Sequence, residues 1–99
     1  MSDKADWAEL RDRRMAEPGA VDAYEATRLA FELGKAVREL RERRGWTQSR
    51  LAEVATMTQP AIARFEAGGT VPTLPVLERL AHALGADLIV RLAPRSSAA

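Results

Sequence analysis

The chain has 99 residues, 46% of them hydrophobic but only 5% aromatic, with a formal net charge of +1. That is about one domain, whose core must be filled by Leu, Val and Ala and which leans helical. There is no cysteine and a single histidine, His82, which excludes disulfides, thiolate zinc sites and His-pair zinc sites, and no apolar run approaches the roughly 20 residues that cross a bilayer.

Residues 3–17 form the first predicted helix, with Trp7, Leu10 and Arg14 on one thin stripe and Glu17-Pro18-Gly19 as the stop. A stripe this thin needs a partner surface. A longer helical stretch begins near Val21 or Asp22 and reaches Arg44; Tyr24, Arg28, Phe31, Leu33, Val37, Leu40 and Arg44 recur at spacings near three or four. Gly34 is a candidate kink or boundary inside it, and Gly45 ends it after Arg43-Arg44, cations that suit the negative end of a helix dipole. Thr47 is an N-cap for a two-turn helix over 48–55, with Leu51, Ala52 and Ala55 on one face. After a break at Thr56-Met57, Thr58 caps a helix over 59–67, with Pro60 in its first turn and Ala61, Ile62 and Phe65 as its apolar residues. Gly68-Gly69 stops that helix and Thr70-Val71-Pro72 is a loop. Thr73 then caps an amphipathic helix carrying Val76, Leu77, Leu80, Ala81 and Leu84, with Gly85 at its C′ position. Leu88-Ile89-Val90-Arg91-Leu92 is the one strand-like run, and 94–99 reads as a frayed tail. The N-terminus, Met1-Ser2-Asp3-Lys4-Ala5-Asp6, lacks a signal-peptide apolar region, so the expectation is a cytoplasmic protein.

Charge is unevenly spread. Residues 1–32 carry five basic and eight acidic side chains, residues 33–66 seven basic and four acidic, so the middle third is the better partner for a polyanion. Two short helices flanked by longer ones are the skeleton of a helix-turn-helix. Ala52 is small enough for a close crossing, Leu51 and Ile62 supply apolar contacts, and Gln59, Ala63 and Arg64 face outward if Ile62 and Phe65 face in.

With Arg41, Gly45-Trp46-Thr47-Gln48, Leu51-Ala52, Thr58-Gln59, Ile62-Ala63-Arg64, Glu66, Gly68, Pro72 and the helix from Leu77 to Gly85, the stretch 41–84 resembles the phage-repressor/Cro family, also called XRE. The resemblance implies an all-α fold, a five-helix, lambda-repressor-like helix-turn-helix bundle with its DNA-binding domain over 33–86. A minimal domain of this family needs little before Leu33, so the helical pattern over 1–32 reads as an N-terminal extension and 87–99 as a short C-terminal β-strand with a disordered tail. It places Gln59, Pro60, Ala63 and Arg64 at base-reading positions, Gln59 toward adenine and Arg64 toward guanine. It places Gln48 at a DNA phosphate, with Thr47, Arg44, Arg50, Gly69 and Thr70 as further phosphate candidates, and Arg41–Glu66 as a structural pair. Each has a plainer alternative: Gln48 and Gln59 as ordinary exposed residues, Arg64 in a surface ion pair, Arg43-Arg44 as partners of the helix dipole. Trp46 reads as a lid on the core and His82 as a surface or packing residue. Two departures stand out. The family usually has glycine where this chain has Thr56, which suggests a rebuilt turn, and Pro60 replaces what is often a polar reader.

The first third and the final strand together resemble the antitoxins of type II toxin–antitoxin pairs of the host-inhibition-of-growth (HigA) kind, on Trp7, Tyr24-Glu25-Ala26 and 88–92. That resemblance implies a repressor of its own operon that neutralises a small basic ribonuclease toxin, with Trp7, Leu10, Met15, Tyr24 and Phe31 as interface anchors. The alternative for this segment is that it covers the bundle. A homodimer on two-fold operator DNA is expected, since one recognition helix reads only a few base pairs. The competing readings are a free-standing regulator without a toxin and a protein-bridging module. Neither an enzyme nor a bound cofactor is expected, since there is no phosphate-binding glycine loop and no carboxylate pair in an evident pocket.

Overall fold

Three threonines set the starts of the three short helices. Each sits in extended backbone, and its hydroxyl accepts the N–H three residues on: Thr47 from Arg50 at 3.0 Å, Thr58 from Ala61 at 3.2 Å, Thr73 from Val76 at 3.4 Å. Each bond satisfies a donor that the helix itself cannot. Pro60 and Pro75 fall in first turns, where a missing N–H costs nothing.

The computed structural model describes residues 20–95. Its helices are α1 (Ala20–Arg43), α2 (Gln48–Ala55), α3 (Gln59–Glu66) and α4 (Leu74–Ala83). All four end in the same way, with an N–H bonding back five residues: Trp46 to Arg41 at 3.2 Å, Met57 to Ala52 at 2.8 Å, Gly69 to Arg64 at 2.9 Å and Ala86 to Ala81 at 2.8 Å. Three of these turns place a glycine at positive φ; after α2 the residue there is Thr56, at φ 56° and ψ 48°.

Helix α2 packs on α3 and α4, and α1 packs on α3. Leu51, Ile62 and Leu80 are sealed at the centre, with Val37, Ala52, Ala55, Phe65, Ala83 and Leu84 around them and Leu40, Trp46 and Met57 at the rim. The small Ala52 and Ala55 let α2 lie close to its neighbours. Gly34 does not end α1, which runs through it as one helix. A Cβ there would stand 2.3 Å from the Phe65 carbonyl oxygen, so the glycine is where α1 crosses the end of α3 backbone to backbone.

Two expectations need correction. Among the described residues there are four helices, not five; the helix expected over 3–17 lies outside them. The strand expected over 88–92 is also absent: this segment is neither helix nor strand, because β-propensity alone makes no ladder and the described residues offer no second strand.

Candidate nucleic-acid interface

The orientation of α3 follows from its apolar spacing. Ile62 and Phe65 drive into the core, which turns Gln59, Pro60 and Arg64 to solvent and leaves Ala63 half-buried. Neither α2 nor α3 carries an acid in its first turn, so the positive ends of both dipoles are not neutralised from within.

Behind this face runs a continuous polar relay. Glu66, 7% exposed, is the one buried charged residue among those described. It accepts from Arg41 Nε at 2.7 Å and Arg41 Nη2 at 3.0 Å, a two-pronged pair. Arg41 also donates through Nη1 to the Trp46 carbonyl at 2.8 Å, tying α1 to the start of α2. The hydrogen bond to Glu66 is the main reason the Arg41 guanidinium is held above its ordinary pKa; burial opposes it. Glu66 Oε1 accepts a third bond, from Gln48 Nε2 at 3.1 Å, and Gln48 Oε1 accepts from Gln59 Nε2 at 2.8 Å. Gln59 and Glu66 are seven residues apart, two turns along one stripe of α3, so Gln48 at the start of α2 bridges them. An amide has two N–H donors and a carbonyl with two lone pairs. Gln48 therefore keeps one N–H uncommitted, and Gln59 keeps one N–H and its carbonyl.

The other expected contact residues are placed as follows. Thr47 is engaged as the α2 cap. Arg50 pairs with Glu53 at 3.2 Å on the surface and stands 5.8 Å from the Trp46 ring. Arg44 lies over the same ring, 4.9 Å from its centroid, and donates through Nε to the Leu84 carbonyl at 2.9 Å, which caps the end of α4. Nothing in the local sequence pairs positions forty residues apart, so this cap was not legible from pattern. Gly69 and Thr70 are exposed in the turn after α3, and a Cβ at Gly69 would press on the Arg64 stem at 3.1 Å. Among the described residues the Arg64 guanidinium makes no hydrogen bond or ion pair, while its stem helps line an apolar cleft with Met57, Phe65 and Val71. Of the expected partner anchors, Trp7, Leu10 and Met15 lie outside the described residues. Tyr24 and Phe31 are each 59% exposed on one face of α1, two turns apart, and Leu29 is a further exposed apolar residue on the same helix. Among the described residues no cluster of His, Cys, Asp and Glu could hold a metal ion, and no helix is long and apolar enough to cross a membrane.

Residues 32–93 match the family described as helix-turn-helix domain. The chain belongs to this helix-turn-helix family. It is 36% identical over 61 residues to multiprotein-bridging factor 1a of Arabidopsis thaliana, covering 62% of this chain and 43% of that one. It is 31% identical over 70 residues to the HTH-type transcriptional regulator SutR of Escherichia coli K12, covering 71% and 39%. It is 37% identical over 58 residues to the competence pilus inhibition repressor of Acinetobacter baylyi, covering 59% and 53%. The chain thus spans about half or less of the length of the curated relatives it matches. No solved structure is matched.

Thr56, where the sequence suggests a rebuilt turn, lies between α2 and α3. The turn is not rebuilt. Thr56 itself adopts the left-handed conformation that glycine would take, and its N–H closes on the Ala52 and Glu53 carbonyls.

Proposed function

We propose that this chain is a sequence-specific, DNA-binding transcriptional repressor that acts as a two-fold dimer, laying α3 of each copy in the major groove of operator DNA. The observation that carries this reading is the relay from Arg41 through Glu66 and Gln48 to Gln59. It anchors in buried structure and ends at the exposed start of α3. Gln59, its amide orientation set by Gln48, is suited to pair bidentately with adenine, and Arg64, whose guanidinium has no partner among the described residues, with the O6 and N7 edge of guanine. The uncommitted Gln48 N–H and the acid-free helix starts are suited to phosphates. Pro60 and Ala63 offer only apolar surface, which fits a thymine methyl. Relatives named as a transcriptional regulator and a repressor support the reading. Occupancy of the operator would block polymerase.

The test is selection of bound sites from randomised duplexes, followed by affinity on the enriched site. Arg64→Ala should cost about 1–3 kcal/mol there and relax preference at one position. If no site is enriched, or if Arg64→Ala changes neither affinity nor preference, the reading of Arg64 fails.

A narrower reading has its own observation. Tyr24 and Phe31 present large apolar surface on α1, and both belong to a first third of the sequence that is rich in acids. We propose that this region binds a small basic protein, as an antitoxin would bind a ribonuclease toxin. Deleting residues 1–20 together with Tyr24→Ala should release such a partner and spare DNA binding. A pull-down from the native host that recovers only the chain and DNA would leave a solitary repressor. Recovery of transcription proteins with no DNA would favour the bridging role named for one relative.

A further inference from the structure

After α4 the backbone makes its last internal hydrogen bond at Ala86, to Ala81. From residue 87 to residue 95 no N–H or C=O bonds to another described backbone group. Yet this stretch carries the two most exposed large apolar residues among those described, Leu92 at 96% and Ile89 at 83%, with Val90 at 63% between them. It is not a polar tail detached from the fold. Asp87, Leu88 and Ile89 form one wall of an apolar cleft of about 240 Å³, whose other walls include Leu33, Leu40 and Leu77 of α1 and α4. A β-rich run with unpaired backbone and bare apolar side chains is a template for a second strand.

We infer that the occupant is the same segment of a second copy, paired antiparallel with its two-fold axis passing through Ile89. The inference rests on the dimeric part of the reading above and adds the seam. A two-fold that relates adjacent antiparallel strands stands normal to the ribbon, so both copies present the same face and the axis must pass between like residues. The available centres are Leu88, Ile89 and Val90. Centring on Leu88 sets Asp87 against Ile89 and Arg91 against Gly85. Centring on Val90 sets Arg91 against Ile89 and Asp87 against Ala93. Centring on Ile89 sets Asp87 opposite Arg91 of the partner subunit, twice, with the two isoleucines between them. The other face then holds Leu88 opposite Val90 and Ala86 opposite Leu92, apolar throughout. Of the three registers, only this one matches charge to charge and apolar to apolar. Pro94, which lacks an N–H, marks where the ribbon stops.

The chain has no cysteine, so single cysteines report the seam without background. Leu88→Cys, Ile89→Cys and Val90→Cys are introduced one at a time into the full chain, oxidised mildly and run on a non-reducing gel. The inference expects interchain disulfide to peak at Ile89→Cys. Sedimentation of charge variants supplies an independent readout. Asp87→Arg should weaken the dimer about tenfold, because two attractive pairs become repulsive, and Asp87→Arg with Arg91→Asp should recover it. A dimer that cross-links best at position 88 or 90, or that ignores Asp87→Arg, overturns this seam and leaves the dimer standing. A chain that stays monomeric while binding a single half-site overturns the seam and the dimer together.

Discussion

The two ends of α3 are built on different principles. At the C-terminal end, Gly34 lets the α1 backbone rest against the Phe65 and Glu66 carbonyls, and Glu66 is clamped by Arg41 out of water. At the N-terminal end there is a threonine cap, an exposed proline and an amide–amide bond between Gln48 and Gln59. The first end is close-packed and allows few alternatives. The second consists of groups whose hydrogen bonds exchange readily with water or with a base edge. The helix is thus aimed from behind, and the side chains at its front need only present donors and acceptors.

This contrast can be broken first at the closed end. Glu66→Ala removes three accepted hydrogen bonds and leaves the Arg41 guanidinium mostly buried without its partner. Losing one member of a buried pair costs about 3 kcal/mol or more, and urea denaturation should show a loss of that size. A loss under about 1 kcal/mol would mean that water replaces the pair and that the relay is not what fixes α3. Gly34→Ala comes next. Alanine gains about 1 kcal/mol of helix propensity, but its methyl has no room beside the Phe65 carbonyl oxygen, so α1 must shift. We expect a net loss of about 2 kcal/mol from overpacking. A stabilised Gly34→Ala protein would show that α1 crosses α3 elsewhere.

The difference between the two ends also marks what sequence could and could not convey. The caps at Thr47, Thr58 and Thr73 and the glycine stops were legible because each is settled by bonds within five residues. The inward face of α3 was legible because its apolar spacing has only one helical solution. Gly34 was ambiguous, because a glycine in a helix looks the same whether it bends the chain or admits a neighbour, and the neighbour here is more than thirty residues away. The Arg44 cap on Leu84 was invisible for the same reason. The strand expected over 88–92 is absent because β-propensity specifies a surface that fits a ladder and says nothing about where the ladder's other side comes from, and the described residues supply no second strand.

At the open end, the Gln48–Gln59 bond predicts coupling. Gln48→Ala should weaken binding to all duplexes through a lost phosphate contact, with a further loss at the enriched site because the Gln59 amide is freed, and Gln59→Ala should weaken the enriched site selectively. The double variant should fall short of the sum by about 1 kcal/mol, since each single change already frees the other amide. Additive effects would mean that the two amides act separately on DNA. Folding stability should move by less than about 0.5 kcal/mol for Gln59→Ala, because its partner remains accessible to water.

The smallest effect is expected in the turn that joins the two regions. Thr56 holds a conformation that costs a β-branched residue about 1–2 kcal/mol, while glycine in its place gives up about 0.5–1 kcal/mol of chain entropy. Thr56→Gly should therefore raise stability by about 0.5–1 kcal/mol, in the direction set by the glycine stops after α1, α3 and α4. The turn geometry is imposed by backbone bonds, Met57 to Ala52 at 2.8 Å and Thr56 to Glu53 at 3.3 Å, and neither depends on the side chain. The angle between α2 and α3 should thus survive the change, and with it the affinity for the enriched site. If Thr56→Gly stabilises the fold but weakens DNA binding, the stiffness of threonine is part of how the turn presents α3, and the strain has a use at the interface.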